Sequence, residues 1–248
     1  MNYKGHFASK TDRGRVRITN EDQAFVVTNF HGEVLMVVCD GMGGQNKGDY
    51  ASKMALDYIV ERFQTKRRGP VFLSKSWLRR TIREANAMIY DEAQSKPIYA
   101  DMGTTCVAVL IQGNHLIVAN SGDSRAYTYD ERGLVRLTQD QTYVDFLYRS
   151  GQIAERERDS SPDRHILMNA LGIYPSANLD IKVHPYCGET VLLCSDGLYN
   201  NVSEPEIRAV LSTDERVDLK VSSLIAEANA NGGSDNVGIA LWEASRND

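Results

Sequence analysis

The sequence predicts an α+β protein in which antiparallel β-sheets pack against each other and helices cover their outer faces. Three observations predict this class. Apolar runs rich in β-branched residues follow one another with short turns between them. Helical patterns come in two pairs, one early in the chain and one near its end. No repeat, low-complexity tract or linker-like boundary interrupts the sequence, so residues 1–248 are expected to form a single domain.

Eight apolar segments are predicted to be strands. They span residues 23–27, 33–39, 104–111, 115–120, 125–129, 179–183, 190–194 and 237–242. Only Gln112, Gly113 and Asn114 separate the third segment from the fourth, which is the length of a hairpin turn. Parallel strands need a crossover of a dozen or more residues, so these strands are predicted to be antiparallel.

Four segments have apolar residues at helical spacing, and they form two pairs. The first pair covers residues 51–63 and 78–89. In the second pair a short candidate helix at 204–211 precedes a longer one at 217–228. Strands, a helical pair, more strands and a second helical pair are the order expected of stacked sheets with helices outside.

Composition excludes several classes of protein. The 248 residues are 42% hydrophobic and 25% charged, which excludes disorder, collagen and a coiled-coil rod. Lys and Arg number 28 against 33 Asp and Glu. The net charge of −5 gives no indication of a surface that attracts nucleic acid or anionic lipid. No apolar run approaches the roughly 20 residues of a membrane span. We therefore expect neither a nucleic-acid nor a membrane partner.

The cysteines and the start of the sequence predict a cytoplasmic protein. The four cysteines form no C-x-x-C pair, and three of them lie in apolar strand-like runs. This pattern favours buried reduced thiols over disulfides or a zinc site. Residues 1–11 lack the apolar stretch and basic flank of a signal peptide.

Five aspartates stand at the ends of predicted strands, and four of them lie beside glycine or within two residues of it. They are Asp22, Asp40, Asp123, Asp196 and Asp235. Carboxylates are hard oxygen ligands that suit Mg²⁺ or Mn²⁺, and glycine lets backbone carbonyls and waters approach an ion. One Asp-Gly pair taken alone is an ordinary turn. Five aspartates at strand ends predict a shared cluster at one rim of the sheets.

Electrostatics and one arginine sharpen this prediction. Two carboxylates ~4 Å apart repel each other by about 4 kcal/mol at an effective dielectric constant of roughly 20. If the acidic loops converge, a cation must lie among them or some carboxylates must be protonated. Arg17 precedes Asp22 by five residues, and its guanidinium matches the geometry of a phosphate group. Metal-binding carboxylates beside such an arginine predict a site that hydrolyses phosphate esters.

The residues around these aspartates resemble the metal-dependent protein serine/threonine phosphatases of type 2C, in their compact bacterial form. The matching residues occur in the family's order across nearly the whole chain. They are Ser9, Asp12, Gly14 and Arg17, then Asn20-Glu21-Asp22, Asp40-Gly41-Met42-Gly43-Gly44, Gly48, Ala51, Met102-Gly103-Thr104-Thr105, Gly122-Asp123-Ser124-Arg125, Ser195-Asp196-Gly197 and Gly233-Ser234-Asp235-Asn236. Each motif is weak by itself, whereas the ordered set is specific.

The resemblance implies a four-layer α-β-β-α sandwich of two antiparallel sheets flanked by helix pairs. It also implies two Mn²⁺ or Mg²⁺ ions between the sheets. In the family's pattern Asp40 bridges both ions, and the carbonyl of Gly41 binds the second ion. Asp196 and Asp235 complete the coordination of the first ion.

The resemblance implies roles for further residues of the same motifs. Glu21 and Asp22 are expected to hold metal-bound waters. Asp123, together with Asp196, matches the site of a weaker third ion. Arg17 matches the arginine that binds the phosphate of the substrate.

The implied reaction is hydrolysis of phosphoserine and phosphothreonine by direct attack of a water or hydroxide that bridges the two metal ions. No phosphoenzyme is needed. We expect Arg17, Asp40 and Asp196 to carry catalysis. Ser124 and Ser195 flank metal aspartates, but neither has an evident histidine base, so a nucleophilic serine is not expected.

The sequence departs from the family's pattern in places. Residues 143–178 are predicted to form a small flap subdomain, with Ser161-Pro162 where the family usually has His-Pro. Met42 stands where animal relatives carry a histidine as candidate general acid, so the proton donor to the leaving group is unassigned. The histidines show no ligand spacing and are predicted to have surface or core roles. They are His6, His31, His115, His165 and His184.

A short basic run lies between the first two predicted helices. It consists of Lys66, Arg67 and Arg68. The run could dock an acidic partner. A solvated turn between two helices is the simpler interpretation.

The leading hypothesis is an active phosphoprotein phosphatase, a cytoplasmic monomer whose partners are phosphorylated proteins. The resemblance implies a bacterial Ser/Thr kinase and its substrates as the counterpart. The alternative is a non-catalytic module on the same fold that senses a ligand or partner, which loss of a metal aspartate would mark; none is lost. A carboxylate-pair glycosidase would keep its activity in chelator, and neither Arg17 nor the glycine-rich loops support it.

Overall fold

The structure is a computed structural model that describes residues 3–43 and 47–245. Its strands are β1 (Gly5–Asp12), β2 (Asp22–Thr28), β3 (Val34–Met42), β4 (Gly103–Thr104), β5 (Cys106–Gln112), β6 (His115–Ser121), β7 (Arg125–Asp130), β8 (Gly133–Arg136), β9 (Asp180–Pro185), β10 (Thr190–Cys194) and β11 (Val237–Ala244). Its helices are α1 (Lys47–Gln64), α2 (Val71–Ser95), α3 (Tyr143–Arg149), α4 (Glu155–Ser160), α5 (Asp196–Tyr199), α6 (Glu204–Leu211) and α7 (Val217–Ala230). Gly44, which belongs to the predicted glycine-rich motif, lies outside the described residues.

The strands form two sheets. One has the order β1-β11-β10-β7-β8, and the other has the order β2-β3-β5-β6-β9 with β4 paired to β3. All neighbouring strands are antiparallel, as the sequence predicts. Every predicted strand and helix overlaps an observed one. The α+β class and the four-layer arrangement are confirmed.

The two strands that the sequence pattern misses, β1 and β8, are the edge strands of the first sheet. Most of their residues are partly or fully exposed. An edge strand with a solvated face does not require a continuous apolar run, so hydrophobicity carries no signal for it. Their place in the sheet comes from pairing with distant strands, since β1 pairs with β11 along its whole length.

The core has three parts that correspond to the contacts between four layers. One part lies between the two sheets, one under α1 and α2, and one under α6 and α7. Strand β3 contributes to two of them: Leu35, Val37 and Cys39 face the α1–α2 layer, whereas Val34, Met36 and Val38 face the other sheet. Side chains alternate between the faces of a strand, so burial on both faces explains this unbroken apolar run.

The layers bring distant strand ends to one rim of the sandwich. Asp22 at the start of β2 lies opposite Asp40 near the end of β3. In the other sheet Cys194, at the end of β10, pairs with Ile239 near the start of β11. The Ser195 hydroxyl then donates a 2.6 Å hydrogen bond to Asp22 Oδ2, which links the two sheets at this rim.

The connection between β8 and β9 contains α3, α4 and a 3-10 turn at Pro162–His165. The guanidinium of Arg158 lies 4.9 Å from the ring centroid of Tyr148, which joins α4 to α3. A β-bridge between Thr104 and Leu171 attaches the end of this connection to the second sheet. None of the helices within the described ranges combines the length and apolar character that a bilayer span needs.

Candidate active site

An open cleft of about 620 Å³ lies at the rim where the strand ends meet. Seven of the eight predicted site residues line it: Arg17, Glu21, Asp40, Gly41, Asp123, Asp196 and Asp235. The eighth, Asp22, is only 1% exposed. Residues separated by up to 218 positions in the sequence therefore share one cavity.

Asp22 is a buried carboxylate at the start of β2. Its Oδ2 accepts the hydrogen bond of Ser195, and the backbone N–H of Gly238 donates to the same serine oxygen at 2.7 Å. Its Oδ1 has no hydrogen-bond partner within the described residues. Burial, with the charges of Asp196 and Asp235 adding to it, raises the pKa of Asp22 to about 8. Such an acceptor needs a cation, a proton or water beside it.

Asp40 is held by its own backbone near the end of β3. Its N–H donates to Thr105 Oγ1 at 2.9 Å, and its carbonyl accepts from the N–H of Thr105 at 2.8 Å and from Thr104 Oγ1 at 3.0 Å. Burial raises the pKa of Asp40 well above its usual range, and the charges of Asp22 and Asp196 are the next largest causes. The negative charges of the neighbouring carboxylates therefore act on the Asp40 carboxylate.

Gly41 is required by close packing of β3 against the start of α1. A Cβ at Gly41 would lie 2.2 Å from the carbonyl oxygen of Gly48, and one at Gly48 would lie 2.6 Å from Glu21 Oε2. The N–H of Gly41 donates to the Glu21 carbonyl at 3.2 Å. Glycine at both positions lets three segments of the cleft wall meet.

Asn236 joins the loops that carry the predicted residues of the first sheet. Its Nδ2 donates to the carbonyls of Arg13 and Thr19 at 2.8 and 2.9 Å, and its Oδ1 accepts from the N–H of Glu21 at 2.9 Å. Gly197 packs so closely that a Cβ there would lie 1.9 Å from the Asn236 carbonyl oxygen. The Asn236 side-chain hydrogen bonds and the close packing of Gly197 therefore set the segments that hold Arg17, Asp196 and Asp235 relative to one another.

Arg17 reaches the cleft from an exposed loop. Its Nη2 lies 2.7 Å from Asp235 Oδ2, and its side chain is 55% exposed. Burial, with the charge of Asp196 as the next cause, raises the pKa of Asp235 despite this ion pair. The guanidinium therefore contacts the acidic cluster from its solvent-exposed side.

Asp123 follows β6 through Gly122, whose φ of +106° is in the region that favours glycine. The N–H of Gly122 donates to Gln141 Oε1 at 3.0 Å, and the Tyr199 hydroxyl donates to the Asp123 carbonyl at 3.2 Å. Burial and the charges of Asp196 and Asp140 raise the pKa of Asp123 to about 8. The Asp123 carboxylate is therefore close enough to Asp196 to belong to the same acidic cluster.

The donor set of the cleft fits divalent ions of the hard type. Within residues 3–43 and 47–245, no three acidic, His or Cys side chains gather closely enough to hold one ion by themselves. The carboxylates instead surround a shared cleft, and Asp22 keeps an unpaired buried oxygen. Mg²⁺ and Mn²⁺ take a few carboxylates each and complete their coordination with water and carbonyl oxygens, which suits this spacing.

His165, predicted to have a surface or core role, lies at the surface with its side chain 53% exposed. It ends the 3-10 turn Pro162–His165 and lines the cleft, with Nδ1 3.7 Å from Asp196 Oδ2. The contact with Asp196 raises the pKa of His165. Arg164, Thr105 and Asn200 also line the cleft without having been predicted as site residues. Asn200 follows Asp196 by four residues and its Nδ2 donates to Asp196 Oδ2 at 3.1 Å, so helical spacing in α5 could have indicated it. Thr105 belongs to a motif of the family resemblance that carried no predicted role. Arg164 reaches the cleft from the connection between β8 and β9, and no sequence spacing indicates it.

Ser124 and Ser195, which respectively follow Asp123 and precede Asp196, are engaged in buried hydrogen bonds. Ser195 bridges Asp22 and Gly238. Ser124 Oγ lies 2.7 Å from Thr105 Oγ1, and both side chains are buried. Neither hydroxyl has a histidine partner, which agrees with the expectation that no serine acts as nucleophile.

Comparison with known proteins gives consistent matches over the chain. The family model of Protein phosphatase 2C matches residues 11–219. The serine/threonine phosphatase stp of Listeria monocytogenes is 37% identical over 240 residues, covering 96% of this chain and 95% of that protein. The structure of the S. agalactiae serine/threonine phosphatase matches with a TM-score of 0.93 and 32% identity, over 98% of this chain and all of the other. The catalytic domain of serine/threonine protein phosphatase PstP, solved with two manganese ions, matches with a TM-score of 0.85 and 30% identity, over 98% of this chain and 99% of that domain.

Proposed function

The chain belongs to the Protein phosphatase 2C family and is a protein serine/threonine phosphatase, and from this premise we propose how its cleft acts. Phosphoserine and phosphothreonine esters of proteins are hydrolysed in the cleft between the sheet ends. The observation that carries the proposal is the gathering of Asp40, Asp123, Asp196 and Asp235 around one cavity with Arg17 at its mouth. Phosphate esters are anionic, so a site lined by carboxylates needs added positive charge to accept them.

The enzyme depends on metal ions, and we propose Mn²⁺ or Mg²⁺ as the ions. Asp40, Asp196, Asp235 and the Gly41 carbonyl would hold two of them. When bound, divalent ions make water a stronger acid near neutral pH and neutralise phosphoryl oxygens. The unpaired Oδ1 of Asp22 supports a role for this residue beside the ions.

Two further residues complete the proposed set. Glu21, whose backbone is fixed by Asn236, would hold water beside the ions together with Asp22. Asp123, with Asp196, would hold a weaker third ion. The charge of Asp196 contributes to the raised pKa of Asp123, which supports their closeness.

Arg17 would donate to the phosphoryl oxygens of the substrate and stabilise the charge that develops on them. Water attacks phosphorus directly as the ester P–O bond breaks, which releases phosphate and the serine or threonine hydroxyl of the substrate, and no serine of the enzyme is phosphorylated. The buried hydrogen bonds of Ser124 and Ser195 support this route. Acid quenching during turnover of a ³²P-labelled phosphoprotein should give free phosphate and no labelled enzyme, whereas labelled enzyme would contradict direct attack.

We also propose that residues 1–248 act as one catalytic domain, with residues 143–178 as a flap beside the cleft. Arg164 and His165 of this segment line the cleft, which supports such a role. A cytoplasmic setting is supported by the cysteines: all four are free, and Cys187 is the exposed one. A bacterial Ser/Thr kinase and its substrates are the counterpart that we propose.

The test is metal-dependent hydrolysis of p-nitrophenyl phosphate and of a phosphothreonine peptide. Activity should appear with Mn²⁺ and be lost in chelator. Asp40→Asn and Asp196→Asn should each remove most of it, whereas Asp214→Asn, an exposed carboxylate away from the cleft, should leave it unchanged. Folded, Mn²⁺-loaded protein without turnover would instead favour a non-catalytic sensing module.

A further inference from the structure

A second charged surface lies outside the cleft. From residue 62 to residue 83 the chain carries eight Lys and Arg residues and no Asp or Glu. The rest of the chain holds 20 Lys and Arg against 33 Asp and Glu. We call the surface of this segment the basic face, formed by Arg62, Arg67, Arg68, Arg79, Arg80 and Arg83.

The turn at the centre of the basic face is well anchored. Lys66, expected to be solvated, is buried with its Nζ 2.9 Å from both carboxylate oxygens of Glu33 and 5.9 Å from the centre of the Trp77 ring. The solvated-turn interpretation is therefore wrong for Lys66. Arg67 and Arg68, which follow it, are exposed.

Most cations of the basic face lack a counter-charge among the described residues. Arg62 and Arg80 share one carboxylate, Glu84, at 3.8 and 3.7 Å. Arg67, Arg68, Arg79 and Arg83 form no ion pair with any residue that the structure describes. Clustered like charges repel one another, and an anionic partner would relieve this repulsion.

The shape of the basic face is a pair of adjoining grooves. One, of about 500 Å³, is lined by the basic turn together with Leu73, Trp77 and Arg80. The next, of about 420 Å³, shares Arg80 and continues along α2 past Arg83. Leu73 is 51% exposed, so the first groove offers an apolar contact among its charged side chains.

The basic face is remote from the catalytic cleft. Helix α1 begins beside the cleft, where Gly48 packs on Gly41, and ends next to the basic turn. Its 18 residues at about 1.5 Å per residue span ~27 Å. The basic face therefore cannot be a subsite for the phosphate that is hydrolysed.

We propose that the basic face docks an acidic peptide segment of a partner protein. The first groove offers Leu73 and Trp77 to an apolar side chain of an extended peptide. The second groove offers Arg79 and Arg83 to the carboxylates of the peptide, whereas its one carboxylate, Glu84, is already paired with Arg80. A long duplex or a bilayer would extend past the basic face onto a surface where acidic residues outnumber basic ones. An acidic peptide is short enough to avoid that repulsion.

The test measures fluorescence anisotropy of a labelled peptide, ten glutamates with one central phenylalanine, on the Mn²⁺-loaded full chain at ~0.15 M salt. Arg67→Glu/Arg68→Glu and Arg79→Glu/Arg83→Glu should each raise the Kd at least about tenfold, because the two reversals replace attraction by repulsion. Arg208→Glu/Arg216→Glu, equal in charge change but in the opposite helix layer, should leave the Kd within about twofold. All three variants should keep wild-type turnover of p-nitrophenyl phosphate.

Two outcomes would overturn the proposal. Equal weakening by the control pair would show that only net charge matters. Tighter binding of phosphatidylserine vesicles or of a DNA duplex than of the peptide would assign the basic face to a different partner.

Discussion

Asp22 and Asp40 lie opposite each other on neighbouring strands, and burial raises the pKa of both. Like charges this close oppose folding unless something neutralises them. We propose that the same arrangement gives the cleft its affinity for cations. At the scale of single residues, the carboxylates that destabilise the metal-free protein are then the ones that we propose for the reaction.

The proposed role of Arg17 in binding phosphate, and not metal, can be tested by substitution. Arg17→Ala removes the donor that we propose for the phosphoryl group, so kcat/KM for p-nitrophenyl phosphate should fall about 100-fold. Half-saturation by Mn²⁺ should change less than about threefold, because arginine is not a metal ligand. Both values come from initial rates at varied substrate and varied metal.

Arg13→Ala is the matched control. Arg13 lies in the same loop, and its guanidinium donates a 3.4 Å hydrogen bond to the Ile18 carbonyl. It should change neither value appreciably. Weaker Mn²⁺ binding by Arg17→Ala, with normal turnover per bound metal, would contradict the proposed role.

At the scale of elements, glycines set the distances between the loops of the cleft. Gly197→Ala would place a Cβ 1.9 Å from the Asn236 carbonyl oxygen, which forces α5 away from the start of β11. We expect a loss of about 1–3 kcal/mol in the free energy of unfolding. Mn²⁺ half-saturation should also rise, because the loops of Asp196 and Asp235 separate; calorimetry and metal titration measure the two effects.

Gly69→Ala is the control for this substitution. Its Cβ would meet only Leu73 atoms, at 3.6 and 3.7 Å, which are ordinary contacts. It should leave metal titration unchanged. If Gly197→Ala titrated with Mn²⁺ like the parent protein, the loop spacing would not govern metal binding.

The Lys66–Glu33 ion pair joins the α1–α2 turn to the turn between β2 and β3, and both side chains are at least 97% buried. Lys66→Met leaves Glu33 as an unpaired buried charge, so unfolding in urea should show a loss of about 3–5 kcal/mol. Turnover with Mn²⁺ at 25 °C should persist because the pair is remote from the cleft. The double variant Lys66→Met/Glu33→Leu should recover most of the loss; a double variant as unstable as the single one would show that packing, not charge, is responsible.

At the scale of the whole molecule, the acidic cluster makes stability depend on pH when metal is absent. The folded-state pKa values of Asp22 and Asp123 are about 8, above the ordinary value of 3.8. Between about pH 4 and pH 8 the folded state therefore binds more protons than the unfolded state, so the free energy of unfolding falls as pH rises through this window. In chelator the Tm should be lower at pH 8.5 than at pH 6.

Mn²⁺ should restore the lost stability at pH 8.5, because it binds the folded state and replaces the protons. Asp22→Asn should flatten the dependence on pH in chelator. A Tm that rose with pH, or that did not respond to Mn²⁺, would mean that the carboxylates do not act on one another as the structure places them.

The sequence by itself determined the class of fold and the chemistry of the cleft. Continuous apolar runs and helical apolar spacing are local, so they identify strands such as β3 and helices such as α6 without knowledge of their neighbours. The pattern of an aspartate next to glycine at a strand end can likewise be detected in a short stretch of sequence. The order of these motifs was enough to predict the family.

Only the tertiary structure decided which distant groups meet. Edge strands β1 and β8 lack an apolar signal because neighbours, not burial, hold them in the sheet. His165 faces Asp196, and Lys66 is buried against Glu33, through contacts between segments separated by 31 and 33 residues. Burial and pairing of charged side chains depend on how whole layers stack. The sequence alone does not distinguish a charged residue that is solvated from one that forms a buried ion pair or lines a cleft.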